Sequence, residues 1–251
     1  MKIAVCVVVA PSTDTKVKIG ADGKTIDMSD VKLELNAYDE FAIEEALRLK
    51  ESTGDGEVVL FSVGSPATIK EEIRKGLARG ADRAVILDTD TTQLDSSAVA
   101  ALLTGEIKAF EPEIIFMGKQ SVDYDSAQVP SQVAAAMGWP VVTKVSSLAI
   151  EGGAFRAERE IEGGVEVVEG TLPAVISAEK GLNEPRYPSL KGIMAAKKKP
   201  MEEKAAEAPA PVLVIDCLEL PPPRPEGKIV GEGPEAAAKV VELLRNEAKV
   251  I

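Results

Sequence analysis

The segment GKQSVDYDSAQVP (118–130) follows the apolar run EIIFM and precedes a helical pattern that runs into AAAMG. A strand-to-helix junction of this kind exposes unpaired backbone N–H groups, and open α/β sheets bind ligands at the carboxyl ends of their strands. The N–H groups of Ser126, Ala127, Gln128 and Val129 are therefore placed to receive a phosphate. Asp123 and Asp125 repel an anion and fit helix capping or ribose hydroxyls instead. On spacing alone, a nucleotide site and a plain capped helix start explain the segment equally well. LNAYDEF (35–41) has the same character, a loop carrying Asn36 and Tyr38 that enters a helix at Asp39. A capping aspartate before a core helix is its simpler reading.

Other chemistry is excluded. The chain has no histidine, which removes the Ser-His-Asp triad, the Cys-His pair and histidine metal sites. Cys6 and Cys217 are far apart with no CxxC, and read as buried thiols in a reducing cytoplasm. GEGPEA (231–236) matches GxGxxA, but no second strand follows and no acidic residue lies about twenty positions on, so it reads as a turn before the last helix. No catalytic residue and no metal ligand is assigned.

Positive charge is gathered at LNEPRYPSLKGIMAAKKKP (182–200) in a chain with 41 Asp plus Glu against 29 Lys plus Arg. Pro185 and Pro188 stiffen the backbone around Arg186 and Tyr187. A stiff loop loses little entropy on docking and can offer Tyr187 and Leu190 as apolar anchors, while Lys197, Lys198 and Lys199 steer an acidic partner. A solvated surface loop is the bland alternative. In AFRAEREIEGG (154–164), strand alternation puts Glu158 and Glu160 on one face and Arg159 on the other. The net charge of -12 argues against a nucleic-acid partner.

The elements that position these residues alternate along the first two hundred positions. KIAVCVVV (2–9), EVVLFSVG (57–64), AVIL (84–87) and EIIFMG (113–118) read as strands, and 38–52, 65–80 and 96–110 as helices. Strands alternating with helices predict βαβ units and a doubly wound α/β domain over 1–200, with antiparallel hairpins from 141 onward. Residues 201–211 read as an exposed linker, followed by a strand PVLVIDCLEL and a final helix at about 234–248, an arm that needs a partner surface. The apolar runs are too short to span a bilayer. Met1-Lys2 leads straight into a strand without a signal-peptide pattern, so a cytoplasmic location is expected.

Taken together, LNEPRYPSLKGIMAAKKKP, LNAYDEFAIEEALRLKE (35–51), GLARGADRA (76–84), MGKQSVDYDSAQ (117–128) and AEREIEGG (157–164) resemble the electron-transfer flavoprotein β subunit in order and spacing. The resemblance covers about residues 1–200 well and the tail loosely. It implies a Rossmann-like (adenine-nucleotide-α-hydrolase-like), mainly parallel sheet with an extended C-terminal arm on an α subunit. It also implies an electron carrier rather than an enzyme. FAD is shared with the α subunit, AMP is buried in this chain, and electrons pass from acyl-CoA-type dehydrogenases to a membrane quinone oxidoreductase. The AMP contacts fall on Cys6, on Asn36, Ala37, Tyr38 and Asp39, and on Val63. They continue through Gly118, Lys119, Gln120, Ser121, Val122 and Asp123, then Tyr124, Asp125, Ser126, Ala127, Gln128 and Val129. Tyr38 falls where an aromatic approaches the flavin, and Glu160 where a carboxylate meets an arginine of the α subunit. Arg186, Tyr187, Leu190, Ile193, Met194 and the three lysines form the loop that docks on the dehydrogenase, with Leu190 inserted. DYDSAQVP leans toward electron-bifurcating relatives, which hold a second FAD in place of AMP. NEPRY with its lysine run leans the other way, and AMP is expected.

Overall fold

The computed structural model describes residues 1–224 and 226–251. In chain order, β1 (Lys2–Cys6) leads through a ribbon of β2 (Val9–Pro11) and β3 (Leu33–Leu35) into α1 (Ala37–Thr53). Then β4 (Glu57–Val63), α2 (Pro66–Arg79), β5 (Arg83–Asp88), α3 (Ser96–Phe110), β6 (Ile114–Gly118) and α4 (Val129–Met137) alternate. A meander of β7 (Val141–Glu151), β8 (Ala154–Ile161) and β9 (Gly164–Thr171) follows, then β10 (Ala174–Ala178), α5 (Leu190–Ala196) and β11 (Met201–Ala205).

The main sheet has nine strands in the order β11-β5-β4-β1-β6-β10-β7-β8-β9. Its centre is parallel because helices cover both faces, and the strands there show no polar side. Along β1, Ile3 and Val5 face the layer of α1 and α2, with Ile43, Ile73 and Leu77. Ala4 and Cys6 face that of α3 and α4, with Leu103, Ile107 and Val133. Helix punctuation works locally. Pro66 opens α2 after Ser65, Gly80 closes it, and the Asp95 side chain accepts from Ala98 N at the start of α3. The fold is α/β and doubly wound, with β8 and β9 as the antiparallel addition.

Three sequence expectations change. Met201 to Ala205, read as linker, forms β11 and pairs in parallel with β5, so the compact unit runs past residue 200 to Leu218. Residues 211–220, read as a strand, form none. Val212, Leu213 and Val214 are exposed, and the N–H groups of Val212 and Leu213 donate to Asp95 Oδ2. Strand propensity is decided by pairing and packing rather than by the segment alone, and it is β11 that takes the place beside β5. Cys217 is exposed, while Cys6 is buried as expected.

Residues Glu219–Ile251 form a second unit whose helix, α6 (Ala236–Asn246), leaves Val240, Val241 and Leu244 exposed. Among the described residues, no helix is long and apolar enough to cross a membrane.

Candidate functional site

The strand order reverses between β1 and β6. From β1 the chain steps to β4 and β5 on one side, whereas β6 and β10 lie on the other. Connections diverge at such a point and leave a crevice at the carboxyl ends of the strands. Cys6 pairs in register with Phe61 and Met117, so Cys6, Val63 and Gly118 end three neighbouring strands at one rim.

Asp39 ties this rim together. Its Oδ2 accepts from Val8 N at 2.7 Å and its Oδ1 from Gly118 N at 2.9 Å, joining the exits of β1 and β6 to the first turn of α1. It therefore spends its carboxylate across the sheet and does not act as the simple helix cap read from sequence. Burial pushes its pKa up to about 7 against the opposing pull of the Val8 N–H bond. Burial, with Asp39 nearby, also pushes the Cys6 thiol far up, so Cys6 is an inert wall of the site rather than a nucleophile. Gly118 is required by close approach: a Cβ there would overlap Asp39 Oδ1 and lie 2.8 Å from the C and Cβ atoms of Tyr38.

Two buried polar atoms near these strand ends have no partner among the described residues. Asn36 is 2% exposed; its Nδ2 donates to Gln120 O at 2.9 Å, while Oδ1 is unpaired. Ser62, next to Val63 and 1% exposed, has an unpaired Oγ. Buried polar groups are rarely left without partners, so each such atom calls for a reason. Ser62 alternates with Phe61 and Val63 on β4 and faces the layer of α1 and α2, so Asn36 Oδ1 is the one of the two that a ligand at the crevice can partner.

After Gly118 the chain forms an open loop. Lys119 Nζ sits 2.7 Å from Glu179 and 4.6 Å from the centre of the Tyr38 ring. Gln120 Nε2 donates to Asp125, and Asp123 accepts from Ser121 Oγ and Tyr124 N. Neither Asp123 nor Asp125 caps α4, contrary to that reading; the helix has no side-chain cap at all. Asp125 and Ala127 adopt positive φ, which costs a non-glycine residue free energy. Val122 and Val129 are half-buried, Ala37 and the stretch 123–128 are exposed, and Ser126 Oγ meets Ser96 Oγ at 3.1 Å. The first N–H groups of α4 are left without a side-chain cap, in the segment that leaves Gly118 and whose Gln120 carbonyl accepts from Asn36 Nδ2. Ser96 and Glu179 had no sequence signal; only strand register and loop return bring them here. Among the described residues, no cluster of metal-ligating side chains occurs.

The lysine-rich loop is a separate surface. Tyr187 is 92% exposed and Leu190 84%, with Met194 and Ile193 also exposed on α5. Ser189 Oγ caps α5 by accepting from Gly192 N. Lys197 and Lys198 point to solvent. Two of the basic residues expected to face a partner turn inward instead. Arg186 is held by Glu44 and Glu51, and Lys199 Nζ donates to Leu77 O and Ala81 O. Glu160 is exposed on β8, while its neighbours Glu158 and Arg159 pair within the hairpins, with Arg156 and Glu166.

The geometry agrees with the comparisons. The electron transfer flavoprotein domain profile matches residues 24–209. The chain is 41% identical over 252 residues to the electron transfer flavoprotein subunit beta of Bradyrhizobium diazoefficiens, covering all of both chains. It is 41% identical over 251 residues to that of Syntrophomonas wolfei, covering 100% of this chain and 98% of the relative. It is 40% identical over 248 residues to that of Bacillus subtilis, covering 95% and 96%. With its sheet order, its crevice and this likeness along the whole length, the chain belongs to the electron transfer flavoprotein family, among its β subunits.

Proposed function

We propose that this chain joins an α subunit in a heterodimeric electron carrier, binds AMP in the crevice between β1 and β6, and completes the FAD site. In that reading electrons come from acyl-CoA-type dehydrogenases and leave toward a membrane quinone oxidoreductase. Membership in the family makes the chain a flavoprotein electron carrier component; the donors, the acceptor and the AMP are the proposed part.

The observation that carries the nucleotide reading is the unpaired Asn36 Oδ1 together with the uncapped start of α4. The amide oxygen accepts a hydrogen bond, which suits an amino or hydroxyl group of an adenosine. The N–H groups near Ser126 to Val129 suit a phosphate. The residues present therefore fit a mononucleotide. Cys6 and Val63 supply apolar wall, and Asp39 fixes the rim without touching the ligand's charge.

FAD, when bound, supplies the redox chemistry by accepting electrons and passing them on. This chain's own residues do other work: Tyr38, held beside Lys119, shields the flavin side, and Glu160 offers a carboxylate to an arginine of the α subunit. Docking falls to the loop, with Leu190 as the apolar anchor and Lys197 and Lys198 as steering charges.

The test is nucleotide analysis of the heterodimer, purified after co-expression and released by heat. One FAD and one AMP are expected per heterodimer. Two FAD and no AMP would assign the crevice to a second flavin, the bifurcating alternative that DYDSAQVP resembles. Leu190→Ala tests the docking loop. Truncating an interface anchor typically costs ~2 kcal/mol, roughly thirtyfold in affinity, with folding and flavin content unchanged because Leu190 lies outside the core.

A further inference from the structure

Lysine-rich loops are commonly mobile, yet this one is fastened to the body at several points. Arg186 is the centre of the fastening. Its Nε donates to Glu44 Oε2 at 2.8 Å and its Nη2 to Glu44 Oε1 at 2.9 Å, a two-pronged pairing. Its own backbone N–H adds a third bond to Glu44 Oε2 at 3.1 Å, and Nη1 reaches Glu51 Oε1 at 2.5 Å. Arg79 Nε donates to the Arg186 carbonyl at 3.2 Å. Upstream, Asn183 Nδ2 donates to Phe41 O and to Glu45. Downstream, Gly192 lies so close to Ala78 O that no Cβ fits, Ala196 is buried, and Lys199 closes on two carbonyls at the end of α2.

Glu44 is the unusual member. It is 5% exposed on α1, and a buried carboxylate is tolerated only when its oxygens are well bonded. The guanidinium fork supplies that geometry, which an ammonium group cannot reproduce.

We infer that Arg186 is a positioning residue: clamped by Glu44 and Glu51, it sets the shape of the docking loop before any partner arrives, so that Tyr187 and Leu190 are already held outward. This inference rests on the docking role proposed above. The physical logic is pre-organisation, since a loop that is ordered in the free protein loses less freedom on binding. The side chains divide by direction. Arg186, Asn183 and Lys199 face inward and fix the loop, while Tyr187, Leu190, Met194, Lys197 and Lys198 face outward.

The experiment uses the heterodimer as electron acceptor for an acyl-CoA dehydrogenase reduced by its acyl-CoA, with Arg186→Lys, Glu44→Gln and Leu190→Ala compared with the unaltered protein. Trypsin cleavage at Lys191, Lys197 and Lys198 reports loop order in the same samples. Arg186→Lys keeps the charge and loses the fork. It should raise KM for the heterodimer about tenfold, leave kcat within twofold and the salt dependence unaltered, and speed trypsin cleavage of the loop at least tenfold. Glu44→Gln should move KM and cleavage in the same direction; it guards against a folding defect peculiar to either variant. If Leu190→Ala raises KM while Arg186→Lys and Glu44→Gln change neither KM nor cleavage, the clamp is refuted and the docking role stands. If Leu190→Ala leaves KM unchanged, the docking role falls and takes this inference with it.

Discussion

Replacing Gly118 with alanine adds a single methyl group at the point where β6, α1 and the exit of β1 meet. The new Cβ would overlap Asp39 Oδ1 and stand 2.8 Å from the C and Cβ atoms of Tyr38. Both neighbours are fixed: Tyr38 presents backbone, and the Asp39 carboxylate is held by Val8 N and Gly118 N. Forcing one carbon into a close-packed site costs ~1–3 kcal/mol. Displacing the carboxylate far enough to lose one of its bonds adds ~1.5–3 kcal/mol. A total of about 2.5 kcal/mol is therefore the lower expectation, and at ~2–4 °C per kcal/mol for a chain of this size the melting temperature falls by at least ~5–10 °C. Because Asn36 and Tyr38 move with Asp39, bound nucleotide should fall as well. Urea unfolding of the heterodimer followed by circular dichroism, with nucleotide content measured on the same sample, tests both effects. Gly105→Ala is the internal control. It lies in α3 with nothing within 4 Å of its new Cβ, and alanine there should stabilise by ~0.5–1 kcal/mol. A Gly118→Ala protein that unfolds within ~0.5 kcal/mol of the unaltered one and keeps its nucleotide would refute the account of the rim.

Further expectations concern charge, pH and the arm. Neutralising Lys197 and Lys198 should slow association with a reduced dehydrogenase and flatten its salt dependence, read by stopped-flow at low and high salt. Lys199→Ala should instead loosen the end of α2, because burial lowers this ammonium's pKa and its protons are given to carbonyls; trypsin sensitivity should rise while the salt slope stays. Asp39 has its pKa raised to about 7 from 3.8, so the folded protein holds a proton there that the unfolded chain has released. Its contribution to stability is fully present below the lower value and declines as pH rises through that window. Asp39→Asn should make the difference in urea midpoint between pH 5 and pH 7 smaller, and an unchanged difference would place the titration elsewhere. Removing Glu219–Ile251 should impair assembly with an α subunit, since α6 carries exposed Val240, Val241 and Leu244. Normal heterodimer yield on gel filtration would show that the arm is dispensable.

What the sequence determined by itself was whatever depends on neighbours in the chain. Short apolar runs without polar alternation and rich in β-branched residues, such as KIAVC and IIFMG, read as strands covered on both faces, and they are β1 and β6. Ser65-Pro66 and Gly80 mark α2 because capping and positive φ are local requirements. The strand-to-helix junction at 118–129 was legible for the same reason, as was the stiffened loop at 182–200. The tertiary structure decided what depends on residues far apart. Met201 to Ala205 looks like linker, being rich in charge and alanine, yet β5 offers an open edge and backbone bonds need no particular side chains. Conversely, Val212 to Leu218 has the composition of a strand and yet does not pair with the sheet, where β11 holds the place beside β5. Asp39 looked like a cap; its carboxylate instead bridges two strand exits that only the sheet brings together. Arg186 and Lys199 show the same limit most clearly. A run of positive charge in a polar loop reads as outward-facing, and only the packing against α1 and α2 turns these two inward, where buried carboxylate and carbonyl oxygens need their protons.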